Sequence, residues 1–426
     1  MRVLIVGSGG REHAIAWKLA QSPECPELLC APGNAGIAQI ARCIPADAED
    51  VEGIAALCRT ERPDLVVIGP EVPLAKGMTD AIETLGIPVF GPNRKCAQLE
   101  ASKSFTKSFL LRHGIPTAAY REYTDKDALL ADIGIFGWPM VLKADGLAAG
   151  KGVVLAEDDA EARAAIEDMM GARVFGAAGD RVVVEECLRG VEASVLCFVD
   201  KSAIVPMVSA QDYKRIFDED KGPNTGGMGT YSPSLLFTPR LEAQIEERIL
   251  RPTLAGFRAD GLDFRGVLFI GLMLTEDGPK VIEFNNRFGD PETQSVLRRL
   301  DSDLLGIFRA VTEDRLAGTQ IRWSEQRSVT VVLASGGYPG RYEKGKPIEG
   351  LDSMEDGIVV FHAGTRFGTD GAVLTDGGRV LGISAVGATH GEAREKAYRN
   401  VARIHFEGAF SRGDIGVVYN RTDTKD

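Results

Sequence analysis

Residues 280–294, KVIEFNNRFGDPETQ, constrain this chain more than any other stretch. Val281, Glu283 and Asn285 alternate with Ile282 and Phe284, so an extended strand points the two oxygen ligands one way and the two hydrophobes, Ile282 and Phe284, into a core. A hard cation needs such oxygens. One carboxylate and one amide leave coordination positions open, which suits Mg2+ shared with substrate phosphates better than a calcium cage made wholly of protein. Arg287 and Asp290 follow at the strand's end.

The chain has 426 residues, and a prior of about 150 residues per domain suggests three units. Its 49 Lys and Arg against 61 Asp and Glu give a formal charge of -12, which argues against a broad polyanion-binding surface and hence against nucleic acid as a partner. Small local phosphate sites stay open. The 7 cysteines are odd in number and form no CxxC pair, so neither a disulfide framework nor a structural zinc site is expected. The opening apolar run from Val3 to Val6 is too short for a signal segment, and no later stretch reaches about 18 uninterrupted apolar residues. A cytoplasmic small-molecule enzyme, with no membrane partner, is the expectation.

MRVLIVGSGGREHAIAWKLAQ reads as strand, glycine turn and helix, followed by short apolar strands at Leu28 to Cys30, DLVVIGPE and IPVFGPN. This is an N-terminal parallel α/β layer, whose ligands would sit beyond the strands' C-terminal ends. SKSFTKSFLLRHG is a helix ending at Gly114. WPMVLKAD, a glycine-rich loop, GVVLA, a helix over residues 158–170 and RVVVEECL form a compact β-loop-β-α-β unit able to move as a lid. GVEASVLCFVD and SAIVPMVS read as paired strands, residues 239–259 as a long helix, and GVLFIGLMLTEDGPKVIEFN as a hairpin turning at Asp277-Gly278. After Trp323 the chain is strand-rich, with a final helix over residues 393–405. The domain expectation is 1–101 for the N-terminal α/β layer, 102–323 for a central domain with a lid at about 122–187, and 324–426 for a C-terminal β/α unit.

Gly7-Ser8-Gly9-Gly10 invites a dinucleotide-binding reading, but the sixth fingerprint position is Glu12, and the second strand ends in Cys30-Ala31-Pro32 instead of an acidic residue. What remains is a glycine turn at a helix start beside Arg11: a seat for a monophosphate, or a plain tight turn. DGLAAGKGV, residues 145–153, can fold backbone donors around phosphates, though its spacing is not that of a Walker A loop. Lys143 places a cation near the same loop. Glu185, Glu186 and Glu192 read, on sequence alone, as a solvated edge. GPNTGGMG, residues 222–229, carries too much glycine for regular structure and reads as a substrate loop or a long turn. The 5 histidines lack metal-ligand spacing and are taken as structural or solvated. No nucleophile signature appears.

Together these residues resemble the ATP-grasp superfamily and, within it, the phosphoribosylamine-glycine ligase family, over almost the whole chain. The carriers are GSGGREHA, PGNAG, GPE at Gly69, SKSFTKSF, KADGLAAGKG, AQDYKR, GPNTGGMG and RFGDPETQ. Tyr213 stands where the family usually has His, FDED at Phe217 replaces a glycine-richer run, and Asn286 replaces a smaller residue. The resemblance implies that ATP, glycine and 5-phosphoribosylamine give glycinamide ribonucleotide, ADP and phosphate through glycyl phosphate, in de novo purine biosynthesis. It further implies Mg2+ or Mn2+ at Glu283 and Asn285, and nucleotide held by Lys103, Lys143, Gly146, Gly150, Lys151, Gly152, Glu185, Glu186, Leu188 and Glu192. The phosphoribosylamine pocket would be lined by Gly9, Gly10, Arg11, Glu12, Asn34, Glu71, Asn224, Thr225, Gly226, Gly227, Pro291 and Glu292. Arg287 would meet the glycine carboxylate or the transferring phosphoryl group, with Asp212, Lys214 and Asp290 as catalytic neighbours. A monomer or weak dimer is expected. The rivals are another ATP-grasp carboxylate-amine ligase, a nicotinamide-dependent reductase and a non-catalytic nucleotide-binding regulator.

Overall fold

The computed structural model describes residues 1–147 and 152–417. Its first layer is a parallel sheet in the order Arg42–Cys43, Glu27–Pro32, Arg2–Gly7, Leu65–Ile68, Val89–Phe90. Its middle strands are buried on both faces, as the short apolar runs require. Chain order reverses beside Arg2–Gly7, so a crevice opens past Gly7 and Gly69.

Two antiparallel sheets follow. One is ordered Ile204–Pro206, Val191–Val199, Gly266–Thr275, Gly278–Asn285; the other, Tyr120–Tyr123, Val182–Glu186, Met140–Ala144, Val153–Ala156. The second, with helix Asp159–Ile166, is the expected β-loop-β-α-β unit and has its own core around Leu142, Ile166 and Val184. The expected long helix is an unbroken helical run from Pro239–Ile245 through Glu246–Leu250 to Arg251–Ala259, with Thr238 as its cap. The hairpin turns one residue earlier than expected: Thr275 pairs with Gly278, leaving Glu276 and Asp277 as the turn.

The strand Gly278–Asn285 departs from strict alternation. Gly271 faces Glu283 while Leu272 faces Val281, so Ile282 is a bulged extra residue. Val281 and Phe284 therefore share the core face, 0% and 2% exposed, whereas Ile282 lines the cleft beside Glu283 and Asn285. The period-two reading was right for Glu283, Asn285 and Phe284 and wrong for Ile282 and Val281.

A fourth sheet runs Gln211–Asp212, Gly229–Ser232, Arg327–Ala334, Arg379–Gly387, Val359–His362. Residues 211–232 thus complete a layer whose other strands lie beyond residue 324, a long-range pairing that no local pattern announces. The last described helix is His390–Val401, starting earlier than expected because Thr389 caps it by accepting from Glu392 N at 3.1 Å. The main apolar core joins the first helix, through Ala14 and Ile15, to Phe198 and Phe308, with Phe90 and Phe308 stacked at 3.9 Å. His13 Nδ1 accepts from His362 N at 2.8 Å, and burial, foremost, pulls the two imidazoles down to about 3 and about 4. They stay neutral and serve structure. No described helix is long and apolar enough to cross a membrane.

The bulge makes a stability prediction. Phe284→Ala should cost ~3–5 kcal/mol in chemical denaturation, and Ile282→Ala under about 1 kcal/mol because its side chain leaves no core cavity. Equal losses would return Ile282 to the core.

Candidate active site

The helix Lys103–Arg112 starts at Ser102, whose hydroxyl accepts from Phe105 N at 3.1 Å. A spacing of four puts Lys103 and Lys107 on one helix face, toward the cleft between the two antiparallel sheets. Lys103 Nζ donates to Gly146 O at 3.1 Å. Lys107 donates to Thr117 Oγ1 and Ala118 O, both at 2.8 Å, and lies 3.5 Å from Glu185. From the opposite strand, Lys143 Nζ meets Glu185 Oε1 at 2.9 Å and Ile282 O at 3.4 Å. Burial, only partly offset by Glu185 and reinforced by Lys143, pulls the Lys107 ammonium down to about 8. Glu185, 4% exposed, is therefore an interior carboxylate between two cations, not the solvated edge its neighbours suggest. Glu186 accepts from Ala119 N at 3.0 Å. Leu188 lies between the strands Val182–Glu186 and Val191–Val199. Gly146 and Gly152 belong to the same glycine-rich segment; Gly150 and Lys151 lie outside the described residues.

Glu283 and Asn285 stand together across the bulge, with Asn285 Nδ2 donating to Glu283 Oε1 at 3.1 Å. Burial works against the Glu283 charge, yet Lys214, Lys103 and Lys143 together hold the carboxyl below its usual range. Among the described residues no group of three His, Cys, Asp or Glu forms a ready metal cage. An oxygen pair with one formal charge, ringed by ammonium groups, fits a hard divalent cation that takes its remaining oxygens from phosphates and water.

Beyond the strand, Asn286 is buried, donating its N–H to Glu100 Oε2 at 2.7 Å and Nδ2 to Cys96 O at 3.0 Å. Arg287 sits 3.5 Å from Glu71 and 3.4 Å from Glu100, joining the N-terminal layer to the cleft. Asp290 is held by Arg379 at 3.3 Å and Gln294 Nε2 at 2.8 Å. Although burial opposes it, Arg379 and Arg11 keep Asp290 ionised below the usual range. Arg379 Nη1 also donates to Gly226 O at 2.6 Å and Asp290 O at 2.7 Å, clamping the glycine loop to the Asp290-Pro291 turn. Gly227 adopts φ +108°, and a Cβ there would lie 2.4 Å from Pro291 Cδ, so only glycine fits. Part of GPNTGGMG is regular: Lys221–Asn224 pairs with Arg215–Phe217, leaving Asn224 exposed at its end. Thr225 Oγ1 donates to Lys214 O at 2.8 Å, and Lys214 Nζ reaches Glu192 Oε2 at 2.8 Å. Burial pushes the carboxyls of Asp212 and Glu292 up, and Asp212 adds to the rise at Glu292.

The N-terminal turn differs from an open anion seat. Glu12 folds back to accept from Gly9 N at 2.6 Å, and Arg11 Nε donates to Glu12 Oε1 at 2.6 Å. Arg11 Nη1 is taken by Phe288 O at 3.1 Å. A Cβ on Gly69 would lie 1.9 Å from Glu12 Oε1, so this carboxylate fills the crevice where a dinucleotide pyrophosphate would rest. That geometry removes the reductase reading and moves Arg11 and Glu12 into the pocket's wall; Gly9 and Gly10 remain at the turn. Asn34 is likewise spent on structure, donating to Ser8 O at 2.8 Å and His362 O at 2.9 Å while accepting from Gly36 N and Ile37 N. These partners lie too far along the chain to be read from local pattern. Three cleft residues escaped the sequence reading: Lys107, for which the spacing of four from Lys103 was a signal, and Glu100 and Arg379, for which none was.

Lys107 makes the site pH-dependent. It is charged below about 8 and neutral above, so kcat/KM for ATP should fall as pH rises through that value. Lys107→Arg, which stays charged, should remove the fall. A wild-type profile flat through this range would contradict the assignment.

Residues 1–100, 101–293 and 328–418 match, respectively, the N domain, the ATP-grasp (A) domain and the C domain of phosphoribosylglycinamide synthetase. A phosphoribosylamine–glycine ligase of Vibrio parahaemolyticus is 48% identical over 98% of both chains, and one of Allochromatium vinosum 50% identical over the same shares. A crystal structure of a phosphoribosylamine–glycine ligase from Thermotoga maritima superposes with a TM-score of 0.84 at 34% identity, covering 97% of this chain and 100% of that one. A biotin carboxylase from Campylobacter jejuni, 13% identical, shares the fold at a TM-score of 0.75 over 96% of this chain and 92% of its own. End to end, in all three of its parts, the chain belongs to the phosphoribosylglycinamide synthetase family.

Proposed function

We propose that this chain joins glycine to 5-phosphoribosylamine at the expense of ATP, giving glycinamide ribonucleotide, ADP and phosphate in de novo purine biosynthesis. The observation that carries the reading is the cleft itself: Lys103, Lys107 and Lys143 converge on the Glu283–Asn285 pair, in a chain that matches the ligase family throughout.

In the first step a glycine carboxylate oxygen attacks the γ-phosphorus, the bond to ADP breaks and glycyl phosphate forms. In the second, the amine nitrogen of phosphoribosylamine attacks the acyl carbon, the carbon–oxygen bond to phosphate breaks and the nitrogen loses a proton. Neither step needs a protein nucleophile; the residues have to hold reactants in line and neutralise charge. Mg2+, or Mn2+ in its place, held by Glu283 and Asn285 would neutralise phosphate oxygens. Lys103, Lys107 and Lys143 supply further positive charge. Glu185, Glu186, Leu188 and Glu192 flank the nucleoside side. Arg287 receives the glycine carboxylate or the transferring phosphoryl group through its planar fork. Glu71, Asn224, Thr225, Gly226, Gly227, Pro291 and Glu292, with the main chain of Gly9 and Gly10, line the phosphoribosylamine side, where Asp212 and Lys214 are catalytic neighbours. Asp290 acts by holding the turn. The chain would work in the cytoplasm as a monomer or weak dimer, divided near residues 101 and 324.

ADP should appear in quantity only when ATP, Mg2+, glycine and freshly generated phosphoribosylamine are all present, each omitted in turn. In that assay Glu283→Gln should fold normally and turn over on the order of 10²-fold more slowly or worse. Alanine serving as well as glycine would overturn the reading.

A further inference from the structure

Residues 412–417 have no role in the reaction as drawn, yet they hold its substrate loop from behind. Arg412 is fully buried. Its Nε and Nη2 donate to Asp414 at 2.7 and 2.5 Å, and its Nη1 donates to Asp220 and to Arg215 O, both at 3.0 Å. The same guanidinium lies 4.9 Å from the centre of the Tyr213 ring. Tyr213 in turn accepts from Gly416 N at 3.0 Å and donates its hydroxyl to Val417 O at 2.7 Å. Gly413 N donates to Asp218 at 2.8 Å, and Glu219 N to Asp414 at 2.9 Å. On the other side Tyr398 donates to Arg412 O at 2.8 Å and accepts from Ile415 N at 2.9 Å, fixing this strap to the helix His390–Val401.

Tyr213 and Arg215, the two gripped residues, bracket Lys214. Lys214 O accepts from both Thr225 N, at 2.7 Å, and Thr225 Oγ1, while its ammonium pairs with Glu192 and bears on the Glu283 charge. Where the strap puts residues 213 and 215, it puts Lys214 and Thr225. The strap also holds Asp218 and Asp220. The residues lining the nucleotide cleft, by contrast, lie on other elements.

We infer that Arg412 is a positioning residue, which sets the place of the Lys214–Thr225 pair and so, first, of the phosphoribosylamine side of the pocket, while itself touching neither substrate. The inference rests on the proposed ligase reading for the identity of that substrate.

The test is steady-state kinetics on the full chain, with wild type, Arg412→Met and Tyr213→Phe. Wild-type turnover dependent on glycine and phosphoribosylamine tests the ligase reading by itself. Given that turnover, Arg412→Met should raise KM for phosphoribosylamine about tenfold or more, equivalent to about 1.4 kcal/mol, and raise KM for ATP by a clearly smaller factor, felt only through Lys214. Tyr213→Phe, which removes only the hydroxyl anchor, should show the same split more weakly, and it decides the matter should Arg412→Met fail to fold. Amide exchange over residues 222–229 should quicken in both variants without substrate. Unchanged KM for phosphoribosylamine, or parallel rises for both substrates, would overturn the positioning role.

Discussion

Glu283 must stay charged although the cleft withdraws it from water, and the surrounding structure answers to that constraint. Burial alone favours the neutral acid; Lys214, Lys103 and Lys143 reverse the preference. They come from three places: the link between strands Gln211–Asp212 and Arg215–Phe217, the first turn of a helix, and a strand of the small sheet. Together they outweigh the cost of burial. The arrangement concentrates positive charge, and Lys107 bears the strain, its ammonium pulled down to about 8 by burial first, with Lys143 adding to it. A polyphosphate entering with a hard cation would relieve both problems at once, since it brings anionic oxygens to the lysines and a cation to Glu283.

The other side of the pocket is organised by ties between distant segments. Arg11 binds the first helix to Phe288 O, Arg379 binds the C-terminal sheet to Gly226 O and Asp290, and the His13–His362 contact closes the same joint deeper in. These groups are tied to protein partners. They give the glycine loop and the Asp290-Pro291 turn a fixed relation, which suits a reaction that depends on alignment more than on a reactive side chain.

Much of this was legible in the residues themselves, and the misses have physical causes. Short apolar runs between glycine turns announced the parallel layer, and alternation placed Glu283 and Asn285 on one face. Alternation misplaced Ile282 because a bulge depends on the partner strand, which a single strand's pattern does not contain. The fourth sheet was not legible because Gly229–Ser232 pairs with a strand about a hundred positions on. Arg11 was legible as a cation beside its glycine turn, but its bonds to Glu12 and Phe288 O required the fold. Lys107 could have been found, since helical spacing from Lys103 puts both ammonium groups on one side.

In the proposed reaction this charge cluster serves to phosphorylate a carboxylate. Glycine labelled with 18O in both carboxylate oxygens, turned over once with ATP and phosphoribosylamine, tests it most directly by mass spectrometry of the released phosphate. One labelled oxygen should pass to each inorganic phosphate, because the oxygen that attacks the γ-phosphorus leaves with it when the amide forms. Unlabelled phosphate, with ADP still released and amide product still formed, would contradict the account.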